Sequence, residues 1–340
     1  MTPLDCQRHE FPPTRLHGGD VLERPVLAFA THGSLSPARD NAILFPTWFG
    51  STHHNNAWLI GPGRALDPSR YFIVCVNLLG NGLSSSPSNT ASPHDGPRFP
   101  AIHVLDNVRL QRRLLRERFG IDVLQLVVGR SMGAQTAFQW AASYPSEVRR
   151  MLALCGSART TPHNQVFLAS LAAALKADQE WRGGDYAEPP LAGLRALGHA
   201  YAAWAMSPEF YRRGLHLEQA ASVDDYVARR WADNFIDRDA NDLLGMMSTW
   251  QRADLSDDPA FLGDWKAALR AIACPAIVMP SRTDMYFPPE DSAAAVEHMP
   301  NAELRVIESA WGHRAGSPGS DPADVAAVDG ALRELLRRSG

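Results

Sequence analysis

Seven short runs rich in apolar and β-branched residues recur along the chain, at 25–33, 41–50, 71–80, 123–131, 148–157, 275–284 and 302–311, and each reads as a strand. Between them, apolar positions at helical spacing predict helices over 103–119, 132–144 and 288–298. A last helix is predicted over 322–338, where Val325, Val328, Leu332, Leu335 and Leu336 make one apolar stripe. Strands alternating with helices predict an α/β chain, a mostly parallel central sheet with helices on both faces. From 158 to 265 the strand signal disappears, and a segment rich in Ala, Leu, Trp, Arg and Asp keeps helical spacing. The expected organisation is therefore a core of 1–157 and 266–340, interrupted by a helical lid at 158–265. The Pro- and Ser-rich stretch 84–100 reads as a long surface loop.

Composition narrows the partners. A net charge of −4 over 340 residues gives no global positive field to hold a phosphate backbone or an anionic membrane, so no nucleic-acid and no membrane partner is expected. The one arginine-dense stretch, from Arg109 to Arg118, is interleaved with Val108 and Leu115 at helical offsets and reads as the solvated face of a helix. The first residues lack a basic segment followed by an apolar run, and no run of about 18 apolar residues occurs, which points to a cytoplasmic protein. Cys6, Cys75, Cys155 and Cys274 lie too far apart for a disulfide framework or a zinc site and are expected as reduced thiols.

The strongest chemical signal is Gly129-Arg130-Ser131-Met132-Gly133, a G-x-S-x-G placed between a strand and a helix. Glycines at both ends permit the sharp turn that lifts a serine hydroxyl above the sheet, and the following helix N-terminus favours a developing anion. A serine hydroxyl is a weak nucleophile at neutral pH and needs a base, itself oriented by an acid. Asp284 and His313 each follow a late strand, in the chain order this motif calls for, and complete a triad with Ser131. For the oxyanion hole the backbone N–H of Met132 is one candidate donor. The loop after 41–45 supplies the other, from Trp48 first and Phe49 second. Phe49, Arg130 and Tyr286 are candidate substrate contacts; for Arg130 the plainer reading is a side chain in solvent, the other a contact with an anionic substrate.

Other candidates have ordinary explanations. Asp291 falls in a predicted helix, where a solvated carboxylate is expected, and His298 ends that helix as a C-terminal cap. His53 and His54 have no third ligand at metal spacing, so no metal is expected. His17-Gly18-Gly19 and Asn81 read as turns.

With these residues in hand, the chain resembles the homoserine acetyltransferase family of α/β-hydrolases. The resemblance rests on LDPSRYFIVCVNLLGNGLSSSPSN, GRSMGAQTAFQWAASYPSEVRRMLALCGSART, SRTDMYFPP and the Gly312-His313 pair. It implies an α/β-hydrolase fold, a serine acyl-enzyme, and a homodimer formed through the helical lid. Two positions depart from the transferases. Their carboxylate-gripping lid arginine aligns with Ala172, and the acidic residue after their catalytic histidine is replaced by Arg314, so homoserine is not the expected acceptor. The motifs PTWFG and WGHRAG look more like the acetyl-esterase branch. The resemblance therefore implies hydrolysis of a small-molecule acetyl ester without a cofactor. The alternative is transfer from acetyl-CoA to an alcohol other than homoserine.

Overall fold

In a computed structural model, which describes residues 6–338, eight strands form one sheet. They are β1 (Gln7–Glu10), β2 (Val26–His32), β3 (Ala42–Leu44), β4 (Phe72–Val76), β5 (Leu126–Arg130), β6 (Met151–Leu154), β7 (Ala276–Met279) and β8 (Ala302–Leu304). Their spatial order is β1-β2-β4-β3-β5-β6-β7-β8. Only β2 runs against its two neighbours; β4, β3 and β5 to β8 are parallel.

Strand alternation decides which core each side chain enters. Leu126 and Val128 of β5 point into one apolar cluster and Val127 between them into another, the period of two a doubly covered sheet demands. Helices α1 (Val104–Phe119), α2 (Met132–Ser143) and, further on, α6 (Trp265–Arg270) contribute to the second cluster, through residues such as Leu114, Phe138, Trp140 and Leu269. The first cluster holds Val328 and Leu332 of α8 (Pro322–Leu335) and the buried faces of the lid helices α3 (Pro162–Lys176), α4 (Leu191–Ala205) and α5 (Ala240–Gln251). Helix α7 (Pro289–Val296) covers the sheet between β7 and β8. β1 lacks an apolar pattern in the sequence because it is an edge strand, QRHE, whose side chains alternate between half-buried and exposed. His17, Gly18 and Gly19 form the turn between two short paired segments, Thr14–Arg15 and Val21–Leu22.

The excursion that makes the lid closes earlier than 265. Its two ends meet where Thr160 N–H donates to Ala253 O (2.8 Å) and Leu255 N–H to Ala158 O (3.2 Å). At the neck Ala253 and Leu255, and beyond it Ala268 and Leu269, share the cluster of Phe138 and Trp140 beneath the sheet. Helical spacing cannot distinguish a lid helix from one covering the core, which is why the sequence boundary runs past the neck. The lid is anchored by aromatics. Phe167 of α3 stacks on Tyr286 (4.5 Å between centroids) and Trp250 of α5 on Phe287 (5.4 Å), each pair adding about 0.5–1.5 kcal/mol beyond its buried area. Both anchors fall on the loop that carries Asp284. Among the described residues no helix is long and apolar enough to cross a membrane.

Candidate active site

Ser131, Asp284 and His313 all lie beyond the carboxyl ends of parallel strands, β5, β7 and β8 respectively, where an open α/β sheet leaves room for a site. Ser131 sits at φ 56°, ψ −125°, a left-handed backbone that a non-glycine residue adopts only under constraint. The constraint is visible in the neighbouring glycines. A Cβ at Gly129 would collide with Gly133 O, and one at Gly133 would lie 2.9 Å from Pro46 O and 3.0 Å from Thr47 O. The turn is thus closed onto itself and pressed against the loop after β3. Gly133→Ala is expected to push that loop outward, lowering kcat by about 10-fold or more and stability by about 1–3 kcal/mol. Ester kinetics and thermal unfolding of the purified variant check it.

The geometry joins the three groups in one line. Ser131 Oγ is 3.0 Å from His313 Nε2, and His313 Nδ1 is 2.7 Å from Asp284 Oδ2. All three residues are buried. A carboxylate only accepts, so Nδ1 carries the imidazole proton and Nε2 is left to accept from the serine hydroxyl. The other carboxylate oxygen, Oδ1, accepts the backbone N–H groups of Tyr286 (3.1 Å) and Phe287 (3.0 Å), which fixes its plane. Acid and base loops are also tied together: Gly312 N–H donates to Thr283 Oγ1 (3.1 Å), which donates to Ser309 O (2.7 Å). Burial pushes His313 below its ordinary pKa of 6.5, opposed by Asp284 and assisted by the positive charges of Arg130 and Arg314.

The remaining candidates divide. Met132 N–H, at the start of α2, has no intramolecular acceptor among the described residues, as an oxyanion donor requires. The Trp48 N–H, by contrast, donates to Ser51 Oγ (2.8 Å), a side chain the sequence reading did not weigh. The next amide, of Phe49, makes no such bond. Phe49 lines a cleft of about 200 Å³ above Ser131, together with Trp48 and the lid residues Tyr201, Trp231 and Phe235.

Two expectations need correction, Tyr286 as a substrate contact and Arg130 as a side chain in solvent. Tyr286 is fully buried and does not line the cleft; its ring lies 4.4 Å from that of His313 and is sandwiched by Phe167, so it braces the base. Arg130 does not point into solvent. It is buried, its Nη2 donates to His313 O (2.7 Å), and its guanidinium lies 5.3 Å from the Trp48 ring centre. The sequence offered no sign of this, because the partner is a main-chain carbonyl 183 residues away. Ala172 lies outside the cleft lining, whereas Arg238, which no motif singled out, is at its rim.

The bypassed candidates are structural. Asp291 is half-buried and accepts from Thr161 Oγ1 (3.1 Å), and burial raises its pKa, so it is not the solvated carboxylate expected. His53 is buried, accepting at Nδ1 from Asn77 Nδ2 (3.0 Å), while His54 is exposed. Asn81 does more than turn the chain: its amide donates to Ser51 O and Asn77 Oδ1, bracing the loop of Trp48 and Phe49.

Comparison with known proteins identifies the family. A family profile for the alpha/beta hydrolase fold matches residues 43–316, a span that contains all three triad positions. Over 332 residues the chain is 39% identical to the ethyl acetate hydrolase of Pseudomonas veronii, covering 95% of this chain and 93% of that one. A solved acetylester hydrolase from Corynebacterium glutamicum superposes with a TM-score of 0.94 at 37% identity, covering 98% and 96% of the two chains. A homoserine O-acetyltransferase of Trichormus variabilis is 31% identical over 318 residues, covering 89% and 87%. The chain therefore belongs to the α/β-hydrolase family and, within it, to the group that unites these esterases with the homoserine O-acetyltransferases.

Proposed function

We propose that the chain is a carboxylic ester hydrolase that cleaves short-chain esters, acetyl esters foremost, through an acyl-Ser131 intermediate. The observation that carries this reading is the unbroken relay from Asp284 through His313 to Ser131, opening into a cleft of about 200 Å³. The higher identity to an ethyl acetate hydrolase than to a homoserine O-acetyltransferase supports an acetyl ester as substrate.

In the first half-reaction Ser131 Oγ attacks the ester carbonyl while His313 Nε2 takes its proton. The tetrahedral oxyanion is received by Met132 N–H and by an amide of the loop after β3. Because Ser51 already occupies the amide of Trp48, that of Phe49 is the less encumbered donor. Collapse breaks the carbonyl–alkoxide bond, and His313 returns the proton to the departing alcohol. Water, deprotonated by the same nitrogen, then attacks the acyl-serine and releases the acid.

Incubation with nitrophenyl acetate and, separately, with acetyl-CoA plus a panel of alcohols tests the assignment, with intact-mass detection of acetylated Ser131. Release of acetate to water supports it. Efficient transfer to an alcohol with negligible hydrolysis overturns it in favour of an acetyltransferase.

The pH profile follows from the base. His313 must be neutral to accept the serine proton, and its pKa is lowered. Activity is therefore retained to a lower pH than an ordinary histidine allows: the acid limb of kcat/KM is expected to centre below 6.5, with a plateau above. Arg314→Gln removes a neighbouring positive charge and should move that limb upward. Rate measurements across the acid range in both proteins check the sign.

A homodimer through the lid is the assembly the family resemblance implies, and Val166, Leu191, Leu217 and Val223 are exposed apolar side chains on that segment.

A further inference from the structure

The cleft above Ser131 is unusual in its charge. Three guanidinium groups line it, those of Arg130, Arg238 and Arg314, and no carboxylate does so. Some arginines elsewhere are paired with carboxylates, as in Arg112 with Glu147 or Arg305 with Glu303 and Glu334. Among the described residues neither Arg130 nor Arg314 makes an ion pair. Their hydrogen bonds go to neutral main-chain oxygens, Arg130 Nη2 to His313 O (2.7 Å) and Arg314 Nη2 to Pro318 O (2.9 Å).

Arg130 is 6% exposed, and its Nε is buried with no partner. A carbonyl and the Trp48 face offset part of the cost of burying this charge but do not neutralise it. Arg314, half-buried at the mouth, is close enough to feel it: burial and the charge of Arg130 together push its guanidinium down to about 10. Two like charges held together without a counter-ion make a standing demand for an anion. Arg238 answers a different neighbourhood. It lies where the cleft meets a second hollow lined by Asp233, Asp237, Asp239 and Asp242, and Asp237 offsets its charge.

Position relative to the base tells which half of the ester would carry the anion. The departing oxygen must sit beside His313 Nε2 to collect its proton. Arg314 is the next residue in the chain, Arg130 is bonded to the carbonyl of His313 itself, and both line the cleft with His313, so both charges belong to the part of the cleft that the base faces. We propose that the cleft selects esters whose alcohol half bears an anionic group, a carboxylate or a phosphate, received by Arg314 with Arg130 beside it. This rests on the hydrolase reading above and specifies its substrate class. Hydrolysis then proceeds as already written, releasing the acid and an anionic alcohol.

The test compares four acetyl esters on the wild-type protein: 3-acetoxypropanoate, 2-acetoxyethyl phosphate, uncharged butyl acetate and cationic acetylcholine. A kcat/KM for at least one anionic ester about tenfold or more above butyl acetate, with acetylcholine lowest, is expected. That preference should shrink as salt is raised. Which anionic ester leads separates carboxylate from phosphate. In Arg314→Gln the anionic-to-neutral ratio should fall toward one, and Arg314→Lys, which keeps the charge, should restore part of it. A wild-type ratio at or below one, or a ratio unchanged in Arg314→Gln, overturns the proposal while leaving the hydrolase standing. If butyl acetate also goes uncleaved, the hydrolase reading fails, and this inference with it.

Discussion

Replacing Ser131 with alanine is expected to lower kcat for acetyl esters by about 10⁴- to 10⁶-fold, the range seen when a triad nucleophile is removed. The reason is local. The elbow holds a single hydroxyl 3.0 Å from His313 Nε2. Of the other buried hydroxyls lining the cleft, that of Ser51 is engaged by the main chain of Trp48 and that of Ser317 makes no hydrogen bond to His313, so neither is activated for the attack. The residual rate comes from donors that remain in the main chain, Met132 N–H and the loop after β3, which still polarise a bound carbonyl. The fold should survive, because Ser131 is 1% exposed and the change removes one oxygen without altering the backbone. Loss of fluorophosphonate labelling and of the acetyl adduct in intact mass, at unchanged thermal stability, is the expected signature. A variant within about tenfold of wild type would move the chemistry to another nucleophile.

Much of this site was legible before any coordinates. The G-x-S-x-G between a strand and a helix encodes its own geometry, since Gly129 and Gly133 are required by contacts within a few residues or with the adjacent loop. Asp284 and His313 could be found because the parallel sheet delivers both from strand ends, and chain order then leaves few choices. The strands of the sheet centre were readable for a related reason: buried on both faces, they are apolar throughout.

What escaped was whatever depends on a partner far away in sequence. β1 is an edge strand of polar residues, and only its pairing with β2, Gln7 opposite Phe29, makes it a strand. Arg130 looked like a free surface position because the x residue of an elbow carries no local signature, yet it reaches a carbonyl delivered by a loop 183 residues away. Ser51, which holds the Trp48 amide, belongs to a loop whose sequence reads only as polar. Tyr286 sits two residues after the acid and so resembled a pocket residue. The lid helix α3, carrying Phe167, turns it into a brace. These are long-range facts, and they concern specificity and positioning more than reaction type.

Asp284→Asn should be almost as damaging as loss of the nucleophile, lowering kcat by about 10⁴-fold with little change in stability. The main chain dictates this outcome. Oδ1 of residue 284 accepts two N–H groups, from Tyr286 and Phe287, and an asparagine can satisfy both only by placing its carbonyl oxygen there. Its NH₂ is then forced toward His313 Nδ1, where it donates instead of accepting. The imidazole must answer by moving its proton to Nε2, and that nitrogen can no longer take the proton of Ser131. The variant thus keeps its shape and loses its base, so KM should change far less than kcat. Asp284→Ala is the informative partner. It leaves two buried N–H groups unpaired, which costs about 1–3 kcal/mol each unless water enters, but imposes no tautomer on His313. It should therefore be the less stable of the two variants and the more active. Kinetics and thermal unfolding of the pair decide the matter: an Asn variant within about tenfold of wild-type kcat would mean that Asp284 does not set the proton on His313.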